Sequence, residues 1–157
     1  MTSTALMTSA DPGPPVTVRP AAGDPGWRAA ETRWRRGGPL IAVAGRADWG
    51  PGKAGSRALI GAVLGRLLDL DPAAIGTERD ARRRPYPVDR RTGARLPADL
   101  NLSHTDHLLV LGVSRTGRIG VDVERADRDI AAGTRLLARF CHPAERRALD
   151  RMPPRAR

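Results

Sequence analysis

The chain reads as a mixed α/β (α+β) fold, and three stretches carry that reading. Pro39-Leu40-Ile41-Ala42-Val43-Ala44 holds a short apolar run, and Leu108 to Ser114 is a second. The first reads as a buried strand, and the second, apolar throughout, suits a strand buried on both faces. Between them, over 54–70, Ile60, Val63, Leu64 and Leu67 recur at the spacing of one helix face. With 157 residues the chain is long enough for one ordinary domain with a real core.

Residues 1–38 are rich in Pro, Gly, Ala, Ser and Thr, with Trp27 and Trp34 as the bulky anchors. That composition predicts a disordered or loosely docked segment, with the two tryptophans available to dock on the body of the domain. Residues 39–44 form the first strand. Arg46 to Gly55 reads as a loop broken at Gly50-Pro51-Gly52. The helix over 54–70 follows. Gly61 and Gly65 lower its propensity and allow close packing against a sheet. Arg57 and Arg66 interrupt its apolar run, so the G-x-x-x-G spacing is not a membrane signal.

Asp71-Pro72 starts a short helical turn through Ile75. Arg79, Arg82, Arg83, Arg84, Arg90 and Arg91 mark a basic stretch over 79–91, kept out of helix by Pro85 and Pro87. The strand over 108–114, a turn at Arg115-Thr116-Gly117 and a strand over 119–124 then read as a hairpin. That pairing sets Glu124 near Leu109 and brings Asn101–His104 to the same end. Beyond Glu124, Ile130, Leu136, Leu137 and Phe140 give a helical stripe. A further helix opens at His142-Pro143-Ala144-Glu145, with Pro143 at a favoured first-turn position, and ends near Met152-Pro153-Pro154. No internal repeat is visible.

Aromatic residues make up only 3% of the chain, so Leu, Val, Ile and Ala must build the core. The formal charge is +10, almost all of it from Arg; Lys53 is the sole lysine. Part of this basicity reflects a codon bias towards Arg, Ala, Gly and Pro. The field still favours anionic partners: nucleic acid, phosphorylated cofactors or an acidic protein. Nucleic acid is disfavoured, because the basic stretch carries one aromatic, Tyr86, and no recognisable nucleic-acid motif. Cys141 stands alone, which excludes an internal disulfide, fits a reducing compartment and suits a small buried apolar residue. Residues 1–20 hold no apolar stretch suited to a signal peptide, and no run approaches a membrane span. The expectation is a soluble cytoplasmic protein with no membrane partner.

The chemistry concentrates in Gly120-Val121-Asp122-Val123-Glu124. On a strand, Ile119, Val121 and Val123 point one way and Gly120, Asp122 and Glu124 the other. Carboxylates two residues apart sit roughly 7 Å apart at their bases. Their oxygens can converge on one hard cation such as Mg²⁺, and Gly120 leaves room beside them for a phosphate. The plain alternative is the solvated face of an edge strand. Upstream, Asn101-Leu102-Ser103-His104-Thr105 offers a histidine suited to an anion contact. His104 and His107 lack the further Cys or His that zinc requires. Asp106 and Asp127 read as surface carboxylates.

In chain order stand Arg83-Arg84-Pro85, then N-L-S-H-T, then G-V-D-V-E, then Arg139-Phe140-Cys141-His142-Pro143-Ala144-Glu145. The series, over residues 40–149, resembles the 4′-phosphopantetheinyl transferases of the large, surfactin-synthetase-activating type. The resemblance implies Mg²⁺-dependent transfer of the phosphopantetheine arm of coenzyme A to a serine of an acyl or peptidyl carrier protein, with 3′,5′-ADP leaving. That is holo-acyl-carrier-protein synthase chemistry. It implies Asp122, Glu124 and His104 as catalytic residues, Asp122 and Glu124 as metal ligands, and Arg57, Arg83, Arg84, Ser103 and His104 as coenzyme A contacts.

For the fold it implies two similar α/β halves related by a pseudo-twofold axis. The first half, on the coenzyme A side, would occupy 39–118; residues 119–157 would begin the second. The family's downstream W-x-x-K-E-A motif is missing, and Trp49 lies far upstream of its place. The chain is therefore expected to be truncated and impaired in catalysis. The competing reading is a non-catalytic basic domain, a remnant that binds anionic ligands or nucleic acid.

Overall fold

Burial alternates strictly along Leu40–Gly45, and that alternation organises the fold. The computed structural model describes residues 16–20, 24–50, 52–125 and 141–151. The chain divides into two units, Met1–Val123 and Glu124–Arg157. In the first unit the elements run β1 (Val16–Val18), α1 (Gly26–Arg35), β2 (Leu40–Gly45), α2 (Arg46–Trp49), α3 (Gly52–Leu68), a 3-10 turn (Pro72–Ala74), β3 (Ile75–Arg79), β4 (Pro85–Asp89), β5 (Asp99–His104) and β6 (Leu108–Ser114). Helices and strands together make an α+β fold.

One sheet has the order β1-β2-β6-β5, with β1 parallel to β2 and the other neighbours antiparallel. The β3–β4 hairpin forms a separate two-stranded sheet. The register pairs Leu40 with Val113, Ala42 with Leu111 and Ala44 with Leu109. These residues therefore share one face. They join Leu59, Ile60, Val63 and Leu64 of α3 and Trp27, Ala30 and Trp34 of α1 in one buried cluster.

Several sequence expectations change here. Part of the 1–38 segment is neither disordered nor loosely docked: β1 adds to the sheet edge and α1 buries both tryptophans. Trp34 is 2% exposed. Asp24 ties the two elements together, accepting from the Arg19 and Gly26 N–H groups. The segment read as a loop over 46–55 holds α2 and the start of α3.

Gly61 and Gly65 do allow close packing, but against the turn after α3. A Cβ at Gly61 would come within 2.8 Å of the Pro72 carbonyl oxygen, and one at Gly65 within 2.9 Å of that of Leu70. The turn is fixed by Asp69 at φ 56° and by a Leu70 N–H bond back to Gly65, the six-to-one bond of a Schellman cap. The basic stretch over 79–91 folds around β4. Asp80 accepts from the Arg82 and Arg84 N–H groups and closes the hairpin turn.

In the second unit, α4 (Pro143–Asp150) begins with Pro143, as expected. His142 caps it: its Nδ1 accepts from the Ala144 N–H, and Glu145 reaches back to the His142 N–H. The helical stripe expected from Ile130 to Phe140, and the expected stop at Met152-Pro153-Pro154, lie outside the described residues. No helix among the described residues is long and apolar enough to cross a membrane.

Candidate functional site

A cleft of about 1100 Å³ opens between α3, the β3–β4 hairpin and the end of β5. Lys53, Ser56 and Arg57 line it from the first turns of α3, at positions that share one helix face. That 17-residue helix has no acidic residue in its first turn, so its positive end is left uncompensated. Arg46, Arg79 and Arg90 add charge, tempered by Glu78 and Asp89. Arg46 donates to the Thr105 carbonyl, Arg90 to that of Ile75 and Arg79 to that of Arg83. Each guanidinium keeps further N–H donors. Lys53 and Arg57 make no ion pair or hydrogen bond with any described residue. His104, the last residue of β5, also lines the cleft and is exposed.

Residues 119–123 do not form the hairpin strand expected of them. In the register of β6, Leu109 already faces Ala44 on one side and His104 on the other. Both edges of β6 are taken, so the segment cannot pair there. It lies instead over the outer face of the sheet, where a Cβ at Gly112 would come within 2.5 Å of Val121 and 3.0 Å of Ile119.

Its backbone is satisfied by side chains of β5 rather than by a strand ladder. The Ile119 N–H donates to Asp99 Oδ2 at 2.8 Å, the Val121 N–H to Asn101 Oδ1 at 2.9 Å, and the Val123 N–H to Ser103 Oγ at 3.2 Å. The expected alternation survives without the strand: Ile119, Val121 and Val123 are half-buried, while Gly120, Asp122 and Glu124 are exposed.

This arrangement sorts the candidate residues. Ser103 Oγ donates to Asp122 Oδ1 at 2.9 Å, so Ser103 holds the carboxylate segment and does not face the cleft. The N-L-S-H segment lies within strand β5. Neighbours along a strand face opposite sides, so His104 and Ser103 serve different faces of β5. Hence the structure brings Arg57 and His104 to one cleft, and sets Asp122 on the opposite face of β5. Glu124 is exposed at the start of the second unit. Arg83 is exposed in the hairpin turn at φ 63° and is not part of the cleft lining.

Arg84 is committed elsewhere. It forms a fork with the Asp99 carboxylate and donates to the Ile119 carbonyl at 2.6 Å. Burial pushes the Asp99 carboxyl up, but the Arg84 hydrogen bond and the Ile119 N–H outweigh it and hold the group below the usual carboxylate range. The Asp99 bond in turn raises Arg84.

Sequence reasoning passed over Lys53, Ser56 and Asp99. Lys53 stood out as the sole lysine, four residues before Arg57, which is a helical spacing. Among the described residues no group of three or more His, Cys, Asp or Glu side chains is placed to hold a metal. Mg²⁺ asks less of the protein: one or two carboxylates, completed by substrate phosphates and water. Asp122 meets that demand with an exposed carboxylate, only one oxygen of which takes the Ser103 bond.

No family model matches the chain, and no solved structure matches it. Among curated proteins, the chain is 30% identical over 99 residues to the 4′-phosphopantetheinyl transferase HetI of Nostoc sp. (strain PCC 7120). The match covers 62% of this chain and 40% of that relative, so the likeness is to part of a transferase of that name.

Proposed function

We propose that this chain binds coenzyme A in the basic cleft and acts as the cofactor-binding part of a 4′-phosphopantetheinyl transferase. The cleft carries the reading: Lys53 and Arg57, which pair with no described residue, the open end of α3 and His104 converge where an anionic nucleotide would be held. Coenzyme A bears a pyrophosphate and a 3′-phosphate, and a site of this size suits a ligand of its class. The partial likeness to a transferase supports the same direction.

In this reading Lys53 and Arg57 bind phosphate oxygens, and His104 donates a hydrogen bond to one of them. Asp122 would supply an oxygen to Mg²⁺, the role that the resemblance also implies for Glu124. The ion, when bound, neutralises charge developing on the pyrophosphate. Ser103 and Asn101 hold the segment carrying Asp122. A carrier-protein serine oxygen forms the new bond to phosphorus, and the bond to the leaving 3′,5′-ADP breaks. Acyl or peptidyl carrier proteins are the proposed partners.

The test is intact-mass spectrometry of an apo carrier protein incubated with this chain, coenzyme A and Mg²⁺. A gain of one phosphopantetheine arm, lost in Asp122→Ala, is the expected result. Coenzyme A binding without that gain would instead assign a non-catalytic anion-binding domain. Failure to bind coenzyme A at all would overturn the proposed reading and leave the basic domain to other anions.

A further inference from the structure

We propose that Arg84 and Asp99 form a positioning latch that fixes residues 119–123 against β5 and so aims the Asp122 carboxylate. The inference rests on the metal role proposed for Asp122. Both backbone polar groups of Ile119 are held by the pair: Asp99 Oδ2 takes its N–H at 2.8 Å, and Arg84 Nη2 donates to its carbonyl at 2.6 Å. Arg84 Nε closes the triangle on Asp99 Oδ1 at 3.3 Å. The side chains are 26% and 12% exposed, so the charge-assisted bonds are partly shielded from water.

The next two rungs repeat the step of two, Val121 on Asn101 and Val123 on Ser103. A segment without strand partners depends on such contacts for its register. A slip of one residue would turn the Asp122 side chain to the opposite side. The ionic rung comes first, at the point where the segment meets the sheet, and it sets the register for the neutral rungs. Arg84 thus acts through Asp122 and touches no ligand. This differs from the coenzyme A contact that the resemblance implied for it.

The latch is tested in the full chain with Asp99→Asn and Arg84→Lys. The first keeps an acceptor for the Ile119 N–H but loses the charge; the second keeps the charge but loses the fork. Two quantities are read: amide hydrogen exchange over 119–123, and Mg²⁺ affinity by calorimetry with coenzyme A present. Exchange is expected to quicken roughly tenfold, and Mg²⁺ affinity to fall by a similar factor, the scale of one charge-assisted bond. Coenzyme A binding without Mg²⁺, through Lys53 and Arg57, should hold steady, which a general loss of structure would not allow.

Unchanged exchange in both variants overturns the latch. Faster exchange with unchanged Mg²⁺ affinity overturns the aiming role. If Asp99→Asn does not fold, Arg84→Lys decides alone. A native chain that shows no Mg²⁺-dependent binding sinks the transferase reading, while the exchange data still judge the latch.

Discussion

Gly112→Ala is the sharpest single perturbation of this fold, because one methyl group would sit between the sheet and the segment that carries Asp122. The new Cβ would lie 2.5 Å from Val121 Cγ1 and 3.0 Å from Ile119 Cδ1. Neither neighbour gives way easily. Val121 is β-branched and stiff at χ1, and the Ile119 backbone is held at both its N–H and its carbonyl. Two effects oppose each other. Replacing Gly within a strand favours folding by about 0.5–1 kcal/mol through the unfolded chain. Overpacking costs about 1–3 kcal/mol.

The clash should win by about 1 kcal/mol, a fall of roughly 2–4 °C in Tm for a chain of this size. The assay is thermal unfolding by circular dichroism, with Gly117→Ala as control. No atom of a described residue outside its chain neighbours lies within 4 Å of a Cβ built at Gly117, so that variant should be neutral or slightly stabilising. A Gly112→Ala protein as stable as the native chain, with native amide protection at Val121, would refute the placement of 119–121 over β6.

The remaining predictions bear on the cleft, the core and acid stability. Lys53→Ala and Arg57→Ala should each weaken coenzyme A binding by roughly 10- to 100-fold in calorimetry, the scale of a charged hydrogen bond. They should leave thermal stability intact, since neither side chain pairs with any described residue. Trp34→Ala should cost about 3–5 kcal/mol in urea unfolding, because a nearly closed aromatic site is emptied. A cost below about 1 kcal/mol would mean that α1 is not part of the core. Asp99 is held below its ordinary value of 3.8. Its contribution to stability is therefore complete above about pH 4 and fades as pH falls through its lowered value. Acid titration of Asp99→Asn should lack that component, and an identical acid profile would contradict the Arg84 pairing.

How much of this was legible in the residues depended on whether a pattern had one structural meaning. The apolar runs of β2 and β6 and the stripe of α3 did. Strand β5 alternates cleanly through Asp99-Leu100-Asn101-Leu102-Ser103-His104, yet its polar positions read first as a motif. Pro85, Pro87 and the surrounding arginines obscured the β3–β4 hairpin; proline sits comfortably in a strand of so small a sheet. Trp27, Ala30 and Trp34 fall at helical spacing, but the polar composition around them masked it. For 119–124 the alternation was legible and the pairing was not. Alternation says which side chains turn inward, not whether a neighbouring strand still has an open edge. Likewise the charge of Arg84 was visible, but its partner Asp99 is known only once the hairpin folds back on β5.

The adjacency of Ser103 and His104 also bears on which ligands this protein can tell apart. These two residues, joined by one peptide bond, look out on opposite sides of β5. In the proposed reading, a molecule that touches both His104 and Asp122 has to reach from one face of β5, the edge strand of its sheet, to the other. A compact anion such as inorganic phosphate can occupy the cleft and never meet the carboxylate. If the proposed function holds, discrimination at this strand would be made by reach as well as by charge: the sheet would act as a ruler, and an elongated ligand would be measured on both sides.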